Sequence, residues 1–181
     1  MKKILFPILA MVLVLSSCST KSYDEQLSKG FEMAEVLTGL SAVVCSETAS
    51  TWHTAIYDDR DSHGNYCSDF NDALRTLHDD LEELGILDKI LDKKSQLNII
   101  AKELVKCPKS RKDAYDDFIE LVTDVNAFAD LAVDPEGSLT SYNSATKDLS
   151  ARIKKQIDAF ELKYGDFLVE ITIEEDTEDD W

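Results

Sequence analysis

The residues able to do chemistry in this 181-residue chain are three histidines, four cysteines and a large excess of carboxylates. His53, His63 and His78 form no His-x-x-x-His pair, and the cysteines form no Cys-x-x-Cys pair. The spacings that build a zinc site are therefore missing. His53, beside Trp52 and five residues before Asp58, reads as a surface or loosely buried imidazole. His78 with Asp79 and Asp80 could hold a weakly bound cation, but the reading taken is a solvated helix face. The run Asp58-Asp59-Arg60-Asp61-Ser62-His63-Gly64-Asn65 alternates oxygen ligands with a glycine, as calcium loops do. It lacks the bidentate glutamate that such a loop needs at its twelfth position, which is Asp69. Nucleophilic catalysis requires a nucleophile with a base in reach. Cys45 and the serines lie in no Gly-x-Ser-x-Gly context, and there is no glycine-rich phosphate loop. Asp113/Asp117 and Asp116/Glu120 share a helix face at spacing four, but a di-metal bundle would also need Glu-x-x-His units, which are absent. The expectation is a protein without catalytic, metal or cofactor-binding residues, and not an enzyme.

Charge narrows the partners. The formal net charge is -17, with 36 acidic against 19 basic side chains. Such a chain repels a phosphate backbone, so nucleic acid is not an expected partner. Anionic lipid is repelled for the same reason. The excess charge serves solubility, or else attracts cations and basic partners.

The elements that must carry these residues read as helices. Glycine (6) and proline (3) are scarce, and apolar residues recur at spacings of three and four. A first helix is predicted from about Tyr23 to about Asp58, with a stripe of Leu27, Ala34, Leu37, Val44, Thr51 and Ala55, widened by Phe31, Leu40, Trp52 and Ile56. Gly30 and Gly39 are either weak spots or points of close helix approach. After the polar loop, Ser68 is a suitable N-cap for a second helix, whose buried side is Phe70, Ala73, Leu74, Leu77, Leu81 and Leu84. Gly85 suits a left-handed C′ position. A third helix follows from about Leu87 to Lys106, lined by Ile90, Leu91, Leu97, Ile100, Ala101, Leu104 and Val105 and stopped by Pro108. Ser110-Arg111-Lys112-Asp113 has the form of a capping box for a fourth helix, which carries Ala114, Tyr115, Phe118, Leu121, Val122, Val125, Phe128, Ala129 and Ala132. After Asp134-Pro135-Glu136-Gly137, Ser138 can cap a last helix ending at Gly165. Phe167 to Ile173 is a short strand or a helix overrun, and Glu174 to Asp180 is an acidic tail able to collect cations nonspecifically. The aromatics Trp52, Tyr57, Tyr66 and Phe70 gather around the first turn, as an end plug or an exposed recognition patch. The expected fold is all-α, an antiparallel helical bundle of four to five helices with an acidic C-terminal tail.

The N-terminus carries a different kind of information. Met1-Lys2-Lys3 is followed by an apolar run from Ile4 to Leu15 and then by Ser16-Ser17-Cys18. A basic start, an apolar core and small residues before a cut site make a secretory signal. The run is too short to cross a bilayer, where about 20 residues are needed. Leu15-Ser16-Ser17-Cys18 resembles the lipobox of bacterial lipoproteins. That resemblance implies cleavage before Cys18, a diacylglyceryl group on its sulfur with palmitate-type acyl chains, and a membrane partner reached through that lipid. It places the protein in the bacterial cell envelope, on the extracytoplasmic side. The organisation that follows is a signal peptide at 1–17, a lipidated tether at 18–22, a helical domain at 23–165 and an acidic tail at 166–181.

Export would put the other three cysteines, Cys45, Cys67 and Cys107, in an oxidising compartment. If Gly85 reverses the chain, the second and third helices form a hairpin, and a Cys67–Cys107 disulfide is sterically sensible. If residues 68–106 form one unbroken helix, those sulfurs are too far apart to bond. The hairpin, with Cys67 bridged to Cys107 and Cys45 left over, is the expectation.

From Trp52 to about Phe160 the chain also resembles an uncharacterised group of small bacterial proteins, often exported or lipid-anchored. The matching features are Trp52 with Ile56-Tyr57, Asp69-Phe70-Asn71-Asp72-Ala73-Leu74, Leu104 with Pro108, Ala114-Tyr115 and Gly137-Ser138-Leu139. This resemblance implies an all-helical fold and no known activity, and it does not include Cys67 or Cys107. The functional expectation is a non-enzymatic, membrane-anchored envelope lipoprotein that binds an unknown protein partner or has an envelope role. The alternative is a small-molecule or cation-binding envelope protein.

Overall fold

A computed structural model describes residues 5–168, with side chains from Thr20 onward except that of Phe167. The chain is all-helical over this range: α1 is Leu5–Tyr57, α2 Phe70–Glu83, α3 Ile86–Glu103, α4 Lys112–Val133 and α5 Leu139–Tyr164. Among the described residues the sole β feature is an isolated bridge between Arg60 and Tyr66. The expected strand or overrun after Phe167 and the acidic tail from Glu174 lie outside the described residues, apart from Leu168.

α1 starts earlier than the stripe beginning near Tyr23 suggests, and it passes through the expected tether at 18–22. Nothing in the sequence interrupts it, since no proline or glycine stands between Pro7 and Gly30. The stripe itself is buried in full: Leu27, Ala34, Leu37, Val44, Thr51 and Ala55 all face the interior. Between its members Leu37 and Val44, the buried Ser41 is satisfied within the helix, its Oγ donating to the Leu37 carbonyl at 2.8 Å.

Five helices make four columns. The Trp52 ring stacks on Phe70 at the start of α2, while the Tyr23 hydroxyl donates to the Leu104 carbonyl just beyond α3. α2 and α3 therefore run in succession back along α1. By length this fits, because their 14 and 18 residues span about 48 Å at 1.5 Å per residue, which matches the rise of α1 from Tyr23 to Ala55. The expected hairpin at Gly85 does not form. Gly85 is left-handed, with φ 66°, but that one residue bends the path and does not reverse it. Leu81, Leu87 and Ile90 on both sides of the bend are buried in the same core. α4 begins beside Asp24 and runs parallel to α1, and α5 returns antiparallel, from Tyr142 beside Trp52 to Phe160 beside Phe31. α1 and α4 form a central pair, flanked on one side by the α2–α3 column and on the other by α5.

The caps differ from expectation at two places. Asp69, not Ser68, caps α2, its carboxylate accepting from the Asn71 amide. The box at Ser110–Asp113 is not formed. Instead Pro108, at φ −58°, starts a 3₁₀ turn over Lys109–Arg111 that feeds into α4. The guanidinium of Arg111 then clamps the Asp24 carboxylate on α1 through two hydrogen bonds of 2.7 and 2.8 Å. Ser138 caps α5 as expected, in a reciprocal box with Ser141.

Candidate functional site

The cysteines come apart. Cys67 packs with Ala55 and Ala73 near the C-terminal end of α1, whereas Cys107 lies against the main core at the Tyr23 end. These are opposite ends of the bundle, and Cys45, Cys67 and Cys107 are all free thiols. The expected Cys67–Cys107 disulfide is thus not formed, because the chain at Gly85 continues where a hairpin would have brought the sulfurs together. Burial pushes the Cys45 thiol up, as it does Cys67, where the surrounding Asp61, Asp59, Asp72 and Asp69 carboxylates add to the effect. Such thiols stay protonated and are poor nucleophiles. Cys18 lies in the helical backbone of α1, and its side chain is outside the described residues.

The polar loop uses its oxygens on itself. The Asp61 carboxylate accepts from the backbone amides of His63 and Asn65 at 2.9 and 2.8 Å. Arg60 donates to the Gly64 carbonyl at 2.5 Å. A guanidinium thus lies against an oxygen that a calcium loop would offer to the ion. Across the loop, His63 Nε2 meets Asp80 Oδ2 at 2.7 Å. Asp80 is therefore not grouped with His78. The carboxylate that joins His78 and Asp79, with ligand atoms within 4.8 Å of one another, is that of Glu82. The group stands on one turn of α2, and its two carboxylates are exposed. The aromatic set divides likewise. Trp52 is buried against Phe70 and Tyr142 and plugs the end, while Tyr57 and Tyr66 face solvent.

The arrangement with converging polar groups is a groove of about 270 Å³ between α4 and α5. Its walls carry Asp117, Glu120, Arg152, Lys155, Gln156 and Lys163, over a floor of Ala159 and Phe160. Phe160 belongs to the core, stacked on Phe31 at 4.8 Å and tilted against Phe118. The floor is therefore rigid. At one end Asp117 accepts from Lys163 Nζ and from the Tyr164 hydroxyl, each at 2.8 Å. Burial works against the charge on Asp117, but these two donors outweigh it and hold the carboxyl below its usual range. Tyr164 is pushed up to about 12, first by burial and then by its bond to Asp117. At the other end Arg152 grips Asp124 with Nε at 3.1 Å and Nη2 at 2.9 Å, which holds that carboxyl low. Gln156 Nε2 also donates to Asp124, at 3.1 Å. The Oε1 of the same amide is buried and has no hydrogen-bond partner among the described residues.

Sequence reasoning placed Asp113/Asp117 and Asp116/Glu120 on shared helix faces, and all four border this region. Asp113, Asp116 and Asp117 form a wider shelf with Lys163 and Tyr164 at the end of the groove. The α5 half, and Gln156 above all, was missed. It pairs with α4 across 28 to 47 residues of chain, and no local spacing signals that. Comparison with protein families, curated proteins and solved structures finds no match to this chain.

Proposed function

We propose that this chain is an exported bacterial lipoprotein, cleaved before Cys18 and held at the extracytoplasmic face of a membrane by a diacylglyceryl thioether on that cysteine. The bundle serves there as a non-enzymatic binding protein. The observation that carries the reading is Leu15-Ser16-Ser17-Cys18 directly after a short apolar run with a basic start. Among the described residues no helix is long and apolar enough to cross a membrane, which accords with a lipid as the anchor. The strongly acidic body is repelled by anionic headgroups, so the acyl chains must do the holding. Because α1 passes through residues 18–22, the tether spans about 7 Å at the helical rise. The Tyr23 end of the bundle then faces the membrane. The buried thiols of Cys45 and Cys67, both pushed up, and the pairing of His63 with Asp80 support binding over catalysis.

Between a macromolecular and a small-molecule partner, the α4–α5 groove favours the second. It is concave, floored by an aromatic ring and lined by converging polar groups. The exposed large apolar side chains, by contrast, are spread over different helices, among them Val43, Leu84, Ile99 and Leu162. The anchoring is tested by replacing Cys18 with Ala in the producing bacterium, with fractionation and radiolabelled palmitate. The wild-type chain is expected to take up label and sediment with membranes, and the variant to do neither. An unlabelled wild-type chain, or a variant still bound to membranes, refutes the lipoprotein reading.

A further inference from the structure

We propose that the end of the bundle built by the α3–α4 connection seats on an anionic phospholipid surface, with Lys102, Lys106 and Lys109 meeting the lipid phosphates and Val105 entering among them. The proposal rests on the anchoring reading given above, which brings this end to a bilayer, and adds what that bilayer must offer it.

The charge of the chain is unevenly spread. The run from Lys102 to Lys112 holds five of the 19 basic side chains and a single acidic one, Glu103. Elsewhere acidic residues heavily outnumber basic ones. The fold ties both ends of this run to the start of the bundle. The Tyr23 hydroxyl donates to the Leu104 carbonyl at 3.3 Å, and Arg111 clamps Asp24 through two hydrogen bonds. Between them Pro108 opens the 3₁₀ turn over Lys109–Arg111. The basic run is therefore held at the end of the bundle that lies nearest Cys18.

Pairing leaves three cations over. Arg111 is committed to Asp24 and Lys112 to Asp116, and Lys21 lies 3.9 Å from Glu25. Lys102, Lys106 and Lys109 are exposed and form no ion pair among the described residues. The carboxylates left nearby are Glu103, exposed in the same run, and Asp113, which joins the shelf with Lys163 and Tyr164 on the α5 side. Val105 stands among the three lysines along the chain and is 61% exposed, an apolar side chain offered where the cations are. The negative end of the α3 dipole accounts for Lys102, in its last turn, but not for Lys106 and Lys109, which lie beyond it.

Distance makes the uneven spread count. From Cys18 to Tyr23 the helix rises about 7 Å, and salt screens charges separated by more than about 8–10 Å. Over its whole length the chain repels an anionic surface, but the three lysines come within range of the phosphates while the carboxylates near the far end of the bundle do not. The acyl chains hold the protein, and the basic end decides which face is turned to the lipid.

The test uses the full chain carrying Cys18→Ala, so that it does not depend on the anchor. Flotation compares vesicles of phosphatidylcholine with vesicles of phosphatidylcholine and phosphatidylglycerol in equal parts. The apolar run from Ile4 to Leu15 contributes to both alike, so the ratio of the two affinities is the readout. At about 0.05 M salt the mixed vesicles are expected to bind at least about tenfold more tightly, and at about 0.5 M the two draw level. One lysine near such a surface is worth about fivefold, so Lys102→Gln, Lys106→Gln and Lys109→Gln together should abolish the preference. The same change at Lys89, Lys147 and Lys154, exposed and about 15 Å or more farther along their helices from this end, alters the net charge equally and should leave the preference in place. Thermal melts check that both triple variants fold. Equal binding of the two vesicle types by the parent overturns the proposal. So does a preference that the first triple variant keeps, or one that both triple variants lose to the same extent, which would make it a matter of net charge alone. Each of these failures leaves the palmitate result on Cys18 standing, and an unlabelled Cys18 beside an intact vesicle preference removes the anchor and not the basic end.

Discussion

Two glycines on α1 should respond to the same substitution with opposite signs. In a helix interior alanine is favoured over glycine by about 0.8–1.0 kcal/mol, because glycine loses more backbone freedom on folding. At Gly39 nothing lies within 4 Å of the position a Cβ would take, so Gly39→Ala should gain that amount, about 1 kcal/mol. At Gly30 the new Cβ would stand 2.6 Å from Phe118 Cζ and 3.0 Å from Ile100 Cγ2. Carbon atoms in contact sit about 3.5–4.0 Å apart, so the ring would have to retreat by about 1 Å. It has nowhere to go, since Phe118 is fully buried and lies against Phe160. Overpacking of this kind costs about 1–3 kcal/mol. Set against the propensity gain, Gly30→Ala should lose about 1 kcal/mol, leaving about 2 kcal/mol between the variants. Thermal melts of the two proteins should therefore move apart, by about 2–4 °C per kcal/mol for a chain of this size. Adding Phe118→Leu to Gly30→Ala should recover part of the loss, a coupling that a double-mutant cycle reads directly. If Gly30→Ala melts higher than the parent, as Gly39→Ala does, then α1, α3 and α4 do not meet as described and the central pair of the bundle is wrong.

Three further outcomes follow from named contacts. Asp24→Asn should lower the urea midpoint by the equivalent of about 2 kcal/mol, between the small worth of an exposed pair and the 3–5 kcal/mol of a fully buried one, because the Asp24 and Arg111 side chains are 13% and 17% exposed; a shift near zero would mean the clamp does not secure the start of α4. Maleimide labelling of the native chain should modify the half-buried Cys107 before Cys45 and Cys67, and nonreducing peptide maps should contain no Cys67–Cys107 link; recovering that link would restore the hairpin at Gly85. Asp117 and Asp124 have folded pKa values below the ordinary carboxylate range, so the stability they contribute is present above about pH 4 and is lost as pH falls through the lowered values. Asp124→Asn should accordingly be less stable than the parent near neutrality and converge on it as pH falls through the lowered value in thermal melts; a gap that stays constant with pH would show that the Arg152 pair does not set the titration.

Much of the bundle is legible along the chain because burial follows the helical period. Leu27, Ala34, Leu37 and Val44 on α1, and Phe118, Leu121, Val125 and Phe128 on α4, recur at spacings of three, four and seven, and all are buried. The period fails at the margins of the stripes. Ile56, Leu91 and Val105 have the right chemistry and lie near the right phase, yet they are exposed. A column that touches two neighbours covers only part of an apolar arc, and which part is decided by the partner and not by the sequence of the helix itself. Gly85 shows the same limit. A left-handed residue between two amphipathic segments ends a helix, but it permits either a reversal or a bend. The choice falls to long-range packing, here the demand of Leu97, Ala101 and Leu104 for the surface of α1.

The groove was hidden for a related reason. On α4 taken alone, Asp117 and Asp124 are solvated carboxylates; on α5 taken alone, Arg152 and Lys163 are solvated cations. Their pairing appears once two antiparallel columns are set in register, and that register is imposed by apolar residues on other faces, chiefly Phe118 against Phe160. Gln156 is informative in the same indirect way. Its amide is oriented by a carboxylate on the neighbouring helix, and the orphaned oxygen is a by-product of that orientation.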